Sequence, residues 1–212
     1  MLILPGSNAL SAFRTQRLLS NLQAVEPNIV GITGRYLHFV DAANAPTEDE
    51  VGRLNALLTY GEPFTGSAEG DEFVVIPRFG TISPWASKAT DIVHNCGMTH
   101  IHRVERGVSY RVQMKSGLLG GTKKLSEESA AQVAALLHDR MIETVLRNAN
   151  DAAGLFRALE AKPLEFIDVL KGGRDALVSA NTELGLALSD DEIDYLLNAF
   201  TQAKRNPTDV EL

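Results

Sequence analysis

The residues best suited to chemistry in this chain lie in one short stretch, 78–88, where Arg78, Thr81, Ser83, Ser87 and Lys88 surround a predicted helix start. Ser83-Pro84 carries that start. A serine hydroxyl satisfies orphan amides there, and a proline at the first helical position forfeits no hydrogen bond. Free N–H groups, the positive end of a helix dipole and several side-chain donors form an arrangement that could hold a small anion. A purely structural reading competes with it. On that reading Ser83 is only a cap, and Trp85, Ala89, Ile92, Val93 and Cys96, at helical spacing, are the buried face of an ordinary helix. Caps outnumber ligand sites, so the structural reading comes first.

Four potential metal ligands follow closely: His94, Cys96, His100 and His102. The first two stand two apart on the same predicted helix and face opposite ways, and the histidines at 100 and 102 fall on a later strand, so no metal site is expected. Cys96 sits at a helix C-terminus, where the dipole opposes a thiolate, and reads as a small buried hydrophobe rather than a nucleophile. The stretch Gly117–Lys124 lacks the Gly-Lys-Ser/Thr order of a phosphate loop and is expected to be a flexible connection. His138-Asp139-Arg140 falls inside a predicted long helix, where consecutive side chains diverge. Asp190-Asp191-Glu192 with Asp194 occupies a first helical turn, which favours carboxylates without any cation. No nucleophile–base order and no glycine fingerprint after a strand is present, so the residues alone define no active site.

Strands and helices must position these groups. Leu2-Ile3-Leu4 reads as a strand closed by Pro5-Gly6, Ser11–Val25 as a helix, Ile29–Val40 as a strand, and Thr47-Glu48-Asp49-Glu50 as a capping box opening a helix that stops near Gly61. Phe73–Ile76 is a buried-type strand ended by Pro77, and the Ser83-capped helix runs to about Cys96, with Gly97 as its left-handed stop. His100–Glu105 and Val108–Met114 alternate as a hairpin across Arg106-Gly107. Ser126 caps a long helix, Glu127 to about Arg147. Beyond Asn148 only short helices follow, Asp151–Ala161, Phe166–Leu170, Arg174–Leu184 and Asp190–Lys204, separated by Pro163, Gly172-Gly173 and Ser189. The fold class is α+β, one sheet with helices on one face and then a helical segment.

At 212 residues, 44% hydrophobic and 22% charged, the chain suits one large or two small globular domains. A net charge of -7 argues against nucleic acid or an anionic membrane surface as the main partner. One cysteine permits no internal disulfide, and no targeting or membrane segment is evident, so a cytoplasmic location is expected.

The run Pro77-Arg78, Gly80-Thr81-Ile82-Ser83-Pro84-Trp85, Ser87-Lys88-Ala89-Thr90-Asp91-Ile92 and His94-Asn95-Cys96-Gly97 resembles the N-terminal signature of large-type phosphoribosylformylglycinamidine synthase, the glutamine-dependent ligase of purine biosynthesis. Arg103–Gly107, His138–Met141, Gly185–Leu188 and Asp191–Leu196 resemble the same family in the same order. That family converts formylglycinamide ribonucleotide, glutamine and ATP to formylglycinamidine ribonucleotide, glutamate, ADP and phosphate. The resemblance implies a domain over 1–148 similar to a fused dimer of the small subunit of split enzymes, and a helical linker domain over 149–212. The synthetase domain, with its ATP and Mg²⁺, and the glutaminase domain would lie beyond Leu212, so the chain is expected to be a part of a longer polypeptide. No catalytic residue, metal or cofactor is carried over to this segment.

By the same resemblance Arg78, Thr81, Ser83, Trp85, Lys88 and Asp91 are domain-contact or anion candidates, with Arg103, Glu105 and Arg106 as a second set. Phe79 and Ala86 depart from one form of the signature at positions given no polar role. The implied role is assembly, with the synthetase and glutaminase domains of the same polypeptide as partners and self-association through an uncovered face as a further outcome. The alternative is a free-standing small-anion or nucleotide-binding module using the Arg78–Lys88 loop. The two differ in an observable: a scaffold part exposes an apolar face that other domains cover, and a complete module does not.

Overall fold

Among the described residues the apolar runs build five strands: β1 Leu2–Asn8, β2 Ile29–Ala42, β3 Asp71–Pro77, β4 Ile101–Met114 and β5 Glu143–Leu146. They form one antiparallel sheet in the order β1-β2-β4-β3-β5. The structure is a computed structural model that describes residues 1–115, 124–158, 160 and 163–212. It divides into two compact units, Met1–Ala158 and Leu159–Leu212.

Among the described residues four helices accompany the sheet, α1 Ala12–Val25, α2 Glu48–Leu58, α3 Pro84–Asn95 and α4 Glu127–Leu137. They share one face, because alternate side chains of a strand point the same way. Ile32, Val75 and Val112 pack with Leu22 of α1 and Val133 of α4. Val40 and Val104 pack with Leu54 of α2 and Val93 of α3. The opposite face carries Leu37, Phe39, Val74 and Ile76, covered by Ala152 and Leu155 of a 3₁₀ segment, Ala149–Phe156. The α+β reading with helices on one face holds.

Helix starts follow the capping residues. Ser11, Thr47, Ser83 and Ser126 each accept a backbone N–H at the expected position, and the Thr47–Glu50 box is closed in both directions. Gly97 has φ 85° after α3, the left-handed stop that its lack of a Cβ allows.

The hairpin across Arg106-Gly107 does not form. β4 is one continuous central strand, paired with β2 through His38↔Arg106 and Leu37↔Gly107 and with β3 through Val75↔Val108. Gly107 serves close approach rather than a turn: a Cβ there would lie 2.6 Å from the Val75 carbonyl oxygen. The long helix after Ser126 also ends early. His138 is extended, Asp139 accepts the amide of Met141 in a turn, and Glu143–Leu146 adds an edge strand beside β3. Its apolar residues 142 and 145 fitted a helical stripe, but long-range pairing prevails over that local period. β1 runs on through Pro5, tolerated because β1 is a sheet edge.

The boundary drawn at 148 and the division of the units at 158 differ because the 3₁₀ segment buries Ala152 and Leu155 against the sheet. It replaces the helix expected from Asp151, whose predicted end falls partly outside the described residues. Residues 117–123 of the glycine-rich stretch also lie outside them.

In the second unit α5 Val169–Glu183 and α6 Asp190–Ala203 pack through Val169, Leu177, Ile193 and Phe200. Gly173, at φ 58° and ψ -143°, kinks α5 where a break was expected. Phe166 is not helical but bridges to Thr208. A capping box closes in both directions between Ser189 and Glu192 at the start of α6. Arg174 donates to Asp190 at 2.6 Å and Asp194 at 2.8 Å, so two carboxylates of the acidic turn have a partner within the chain.

Candidate functional site: the loop and start of α3

The α3 N-terminus does hold an anion, and the anion is the chain's own. Ser83 Oγ accepts from the Ala86 amide at 3.0 Å and donates to Glu105 Oε1 at 2.6 Å. The Ser83 amide donates to Glu105 Oε2 at 3.3 Å. Arg103 Nη2 bridges from the other side, donating to Glu105 Oε2 at 2.6 Å and to the Thr81 carbonyl at 2.8 Å, while its Nη1 donates to the Leu155 carbonyl at 3.0 Å. The Arg106 amide completes the ring on Glu105 Oε1 at 3.0 Å. Glu105 is fully buried. A buried carboxylate survives only when paired and hydrogen-bonded, and here a guanidinium, a hydroxyl and two amides do both. An outside anion at this helix end would have to displace Glu105.

Thr81, Ser83, Arg103 and Glu105 are therefore gathered into one network, whereas Trp85 and Arg106 belong to another. The Arg106 guanidinium lies 4.5 Å from the Tyr36 ring centroid and 4.9 Å from that of Trp85, and Nη1 donates to the Tyr60 hydroxyl at 3.3 Å. His38 stacks on Trp85 at 5.6 Å and shares a 2.7 Å hydrogen bond with Tyr60. Burial first, and the nearby Arg106 charge second, hold the His38 imidazole down to about 4. Burial pushes the Tyr60 phenol up. Sequence reading missed Tyr36, His38 and Tyr60. The usable signal for Tyr36 and His38 was their alternation along β2, while Tyr60, just after α2, carried none; only the β2–β4 register brings His38 opposite Arg106.

Arg78, Lys88 and Asp91 are exposed and join neither network. The Arg78 amide donates to the Ile142 carbonyl at 2.9 Å, which ties the signature loop to the turn before β5. Large apolar residues stand in water there: Ile82 is 65% exposed, Ile142 64% and Met141 77%. Ile92 and Cys96, expected on the buried face of α3, are exposed as well, because α3 turns Ala86 and Val93 inward.

The histidines near α3 go separate ways. His94 Nε2 meets the Ile101 carbonyl at 2.6 Å, His100 approaches Glu50 at 3.7 Å and His102 approaches Asp41 at 3.3 Å. Among the described residues no three His, Cys, Asp or Glu side chains gather to hold a metal, and no helix is long and apolar enough to cross a membrane.

Two family models match this chain. One, described as formylglycinamide ribonucleotide amidotransferase N-terminal, covers residues 35–156, more than half of the chain. The chain belongs to the formylglycinamide ribonucleotide amidotransferase family. The second, described as the linker domain of the same amidotransferase, covers residues 177–212. The amidotransferase N-terminal match holds the whole Glu105 network and the Arg106 aromatic cluster, and the linker match falls within the helical second unit.

Proposed function

We propose that this chain is the assembly part of phosphoribosylformylglycinamidine synthase, the ATP-dependent, glutamine-using ligase that makes formylglycinamidine ribonucleotide in purine biosynthesis. It docks the glutaminase and synthetase domains of the same polypeptide so that ammonia passes between them without loss to water. ATP and Mg²⁺ bind in the synthetase domain, the compartment is the cytoplasm, and this segment supplies no catalytic group.

The observation that carries the reading is the exposed apolar surface beside the signature loop, Ile82, Met141 and Ile142, next to the exposed Arg78. The Arg78–Ile142 backbone bond brings these two segments together, and exposed large apolar side chains on adjoining segments are what a covering domain would bury. The anion-module alternative loses support, because Glu105 already occupies the α3 N-terminus.

The test mixes this chain with the separately expressed remainder of the polypeptide and follows glutamine- and ATP-dependent product formation. Restored turnover supports the assembly role. If the two bind and turnover stays at the level of the remainder alone, the assembly role fails.

A further inference from the structure

We propose that a cleft between α1, the sheet and the end of α4 binds a small phosphorylated ligand. The cleft has a volume of about 460 Å³, within the range of small-molecule sites. Tyr36, Val108 and Tyr110 form its floor, α1 presents Arg14, Arg17 and Asn21 from one side, and Leu136 and Glu143 stand on the other, with Arg106 at one end.

Charge is the first argument. Three guanidinium groups meet one carboxylate, Glu143, in a chain whose net charge is -7. Among the described residues no carboxylate pairs with the side chain of Arg14, Arg17 or Arg106. Three arginines against a single carboxylate leave the lining of the cleft net positive, and a dianion offsets that charge. Arg14 also lies in the first turn of α1, which holds no acidic residue, so its charge adds to the positive helix end instead of offsetting it.

Geometry is the second. Arg106 is fixed in place by the faces of Tyr36 and Trp85, and its one side-chain hydrogen bond among the described residues, to Tyr60, leaves most of its donor fork unused. A preorganised guanidinium of this kind suits phosphate oxygens, which accept two parallel N–H bonds. Burial pushes the Tyr110 phenol up to about 12, with Glu143 adding to it, so its hydroxyl remains a donor. Leu10, Leu18 and Leu136 supply an apolar wall for the body of an organic phosphate. This site does not rest on the assembly reading.

The experiment titrates the isotopically labelled 212-residue chain with pyrophosphate, AMP and adenosine and follows backbone amide shifts. Pyrophosphate and AMP should shift amides of α1, Tyr36 and Arg106 and saturate below about 1 mM, whereas adenosine should not. Tighter AMP than pyrophosphate assigns an organic phosphate; equal affinity assigns free phosphate, and both fit the shared chemistry. The exposed pair R14Q/R17Q should weaken binding roughly tenfold or more with an unchanged melting midpoint. No saturable shift, shifts that survive R14Q/R17Q, adenosine binding as well as AMP, or binding of an acidic peptide alone would overturn the proposal.

Discussion

At the scale of single residues, Glu105 and His38 decide most. Glu105→Ala leaves the mostly buried Arg103 guanidinium without its partner and the Ser83 hydroxyl without its acceptor, and removing one member of a buried ion pair costs roughly 3–5 kcal/mol. Urea unfolding should record a loss of that order, and Glu105→Gln, which keeps one acceptor, should lose less; a loss under about 1 kcal/mol would show the network to be ornamental. His38 gives the chain an acid sensitivity. Its imidazole is held down to about 4 in the fold against 6.5 unfolded, so between those values the unfolded chain takes up a proton that the folded one refuses. Stability contributed by neutral His38 is complete above pH 6.5 and falls away as pH drops toward 4, by up to about 3 kcal/mol. Melting midpoints from pH 4 to 7 should climb and level off near 6.5, and His38→Gln should flatten that slope. Glu211, held down to about 2 chiefly by Arg205 and secondly by the Thr208 amide, acts in the same direction in the second unit at lower pH.

At the scale of elements, β4 matters most because it is the central strand of the five, with two strands on either side. Gly107→Ala drives a methyl to within 2.6 Å of the Val75 carbonyl and should destabilise the first unit by about 2 kcal/mol, an overpacking effect read from a denaturant midpoint. A neutral result would mean that β3 and β4 do not approach there. Cap residues made most helix starts legible, since a serine or threonine before an apolar period acts through its nearest amides alone. Strands β4 and β5 were not legible in the same way. Arg106-Gly107 has the composition of a turn, and residues 127–145 carry a helical stripe, until pairing with β2 and β3 decides otherwise.

At the scale of the whole molecule the prediction concerns docking. Arg78→Ala with Lys88→Ala, and separately Met141→Ser with Ile142→Ser, remove exposed side chains and should leave the melting midpoint of this chain unchanged. In the complete enzyme each pair should lower glutamine-dependent turnover several-fold while ammonia-dependent turnover holds better. Unchanged turnover and ammonia coupling in the Arg78/Lys88 pair would remove those residues from the interface.

The sequence by itself determined the family, the α+β class, the caps of α2 to α4, and the importance of the stretch around Ser83, because caps and signatures act over a few neighbouring residues. Only the tertiary structure decided what that stretch does. Ser83 meets Glu105 across 22 positions, and Arg103 reaches the Leu155 carbonyl across 52. Such meetings depend on strand order and register, which local composition leaves open and burial of the two sheet faces fixes.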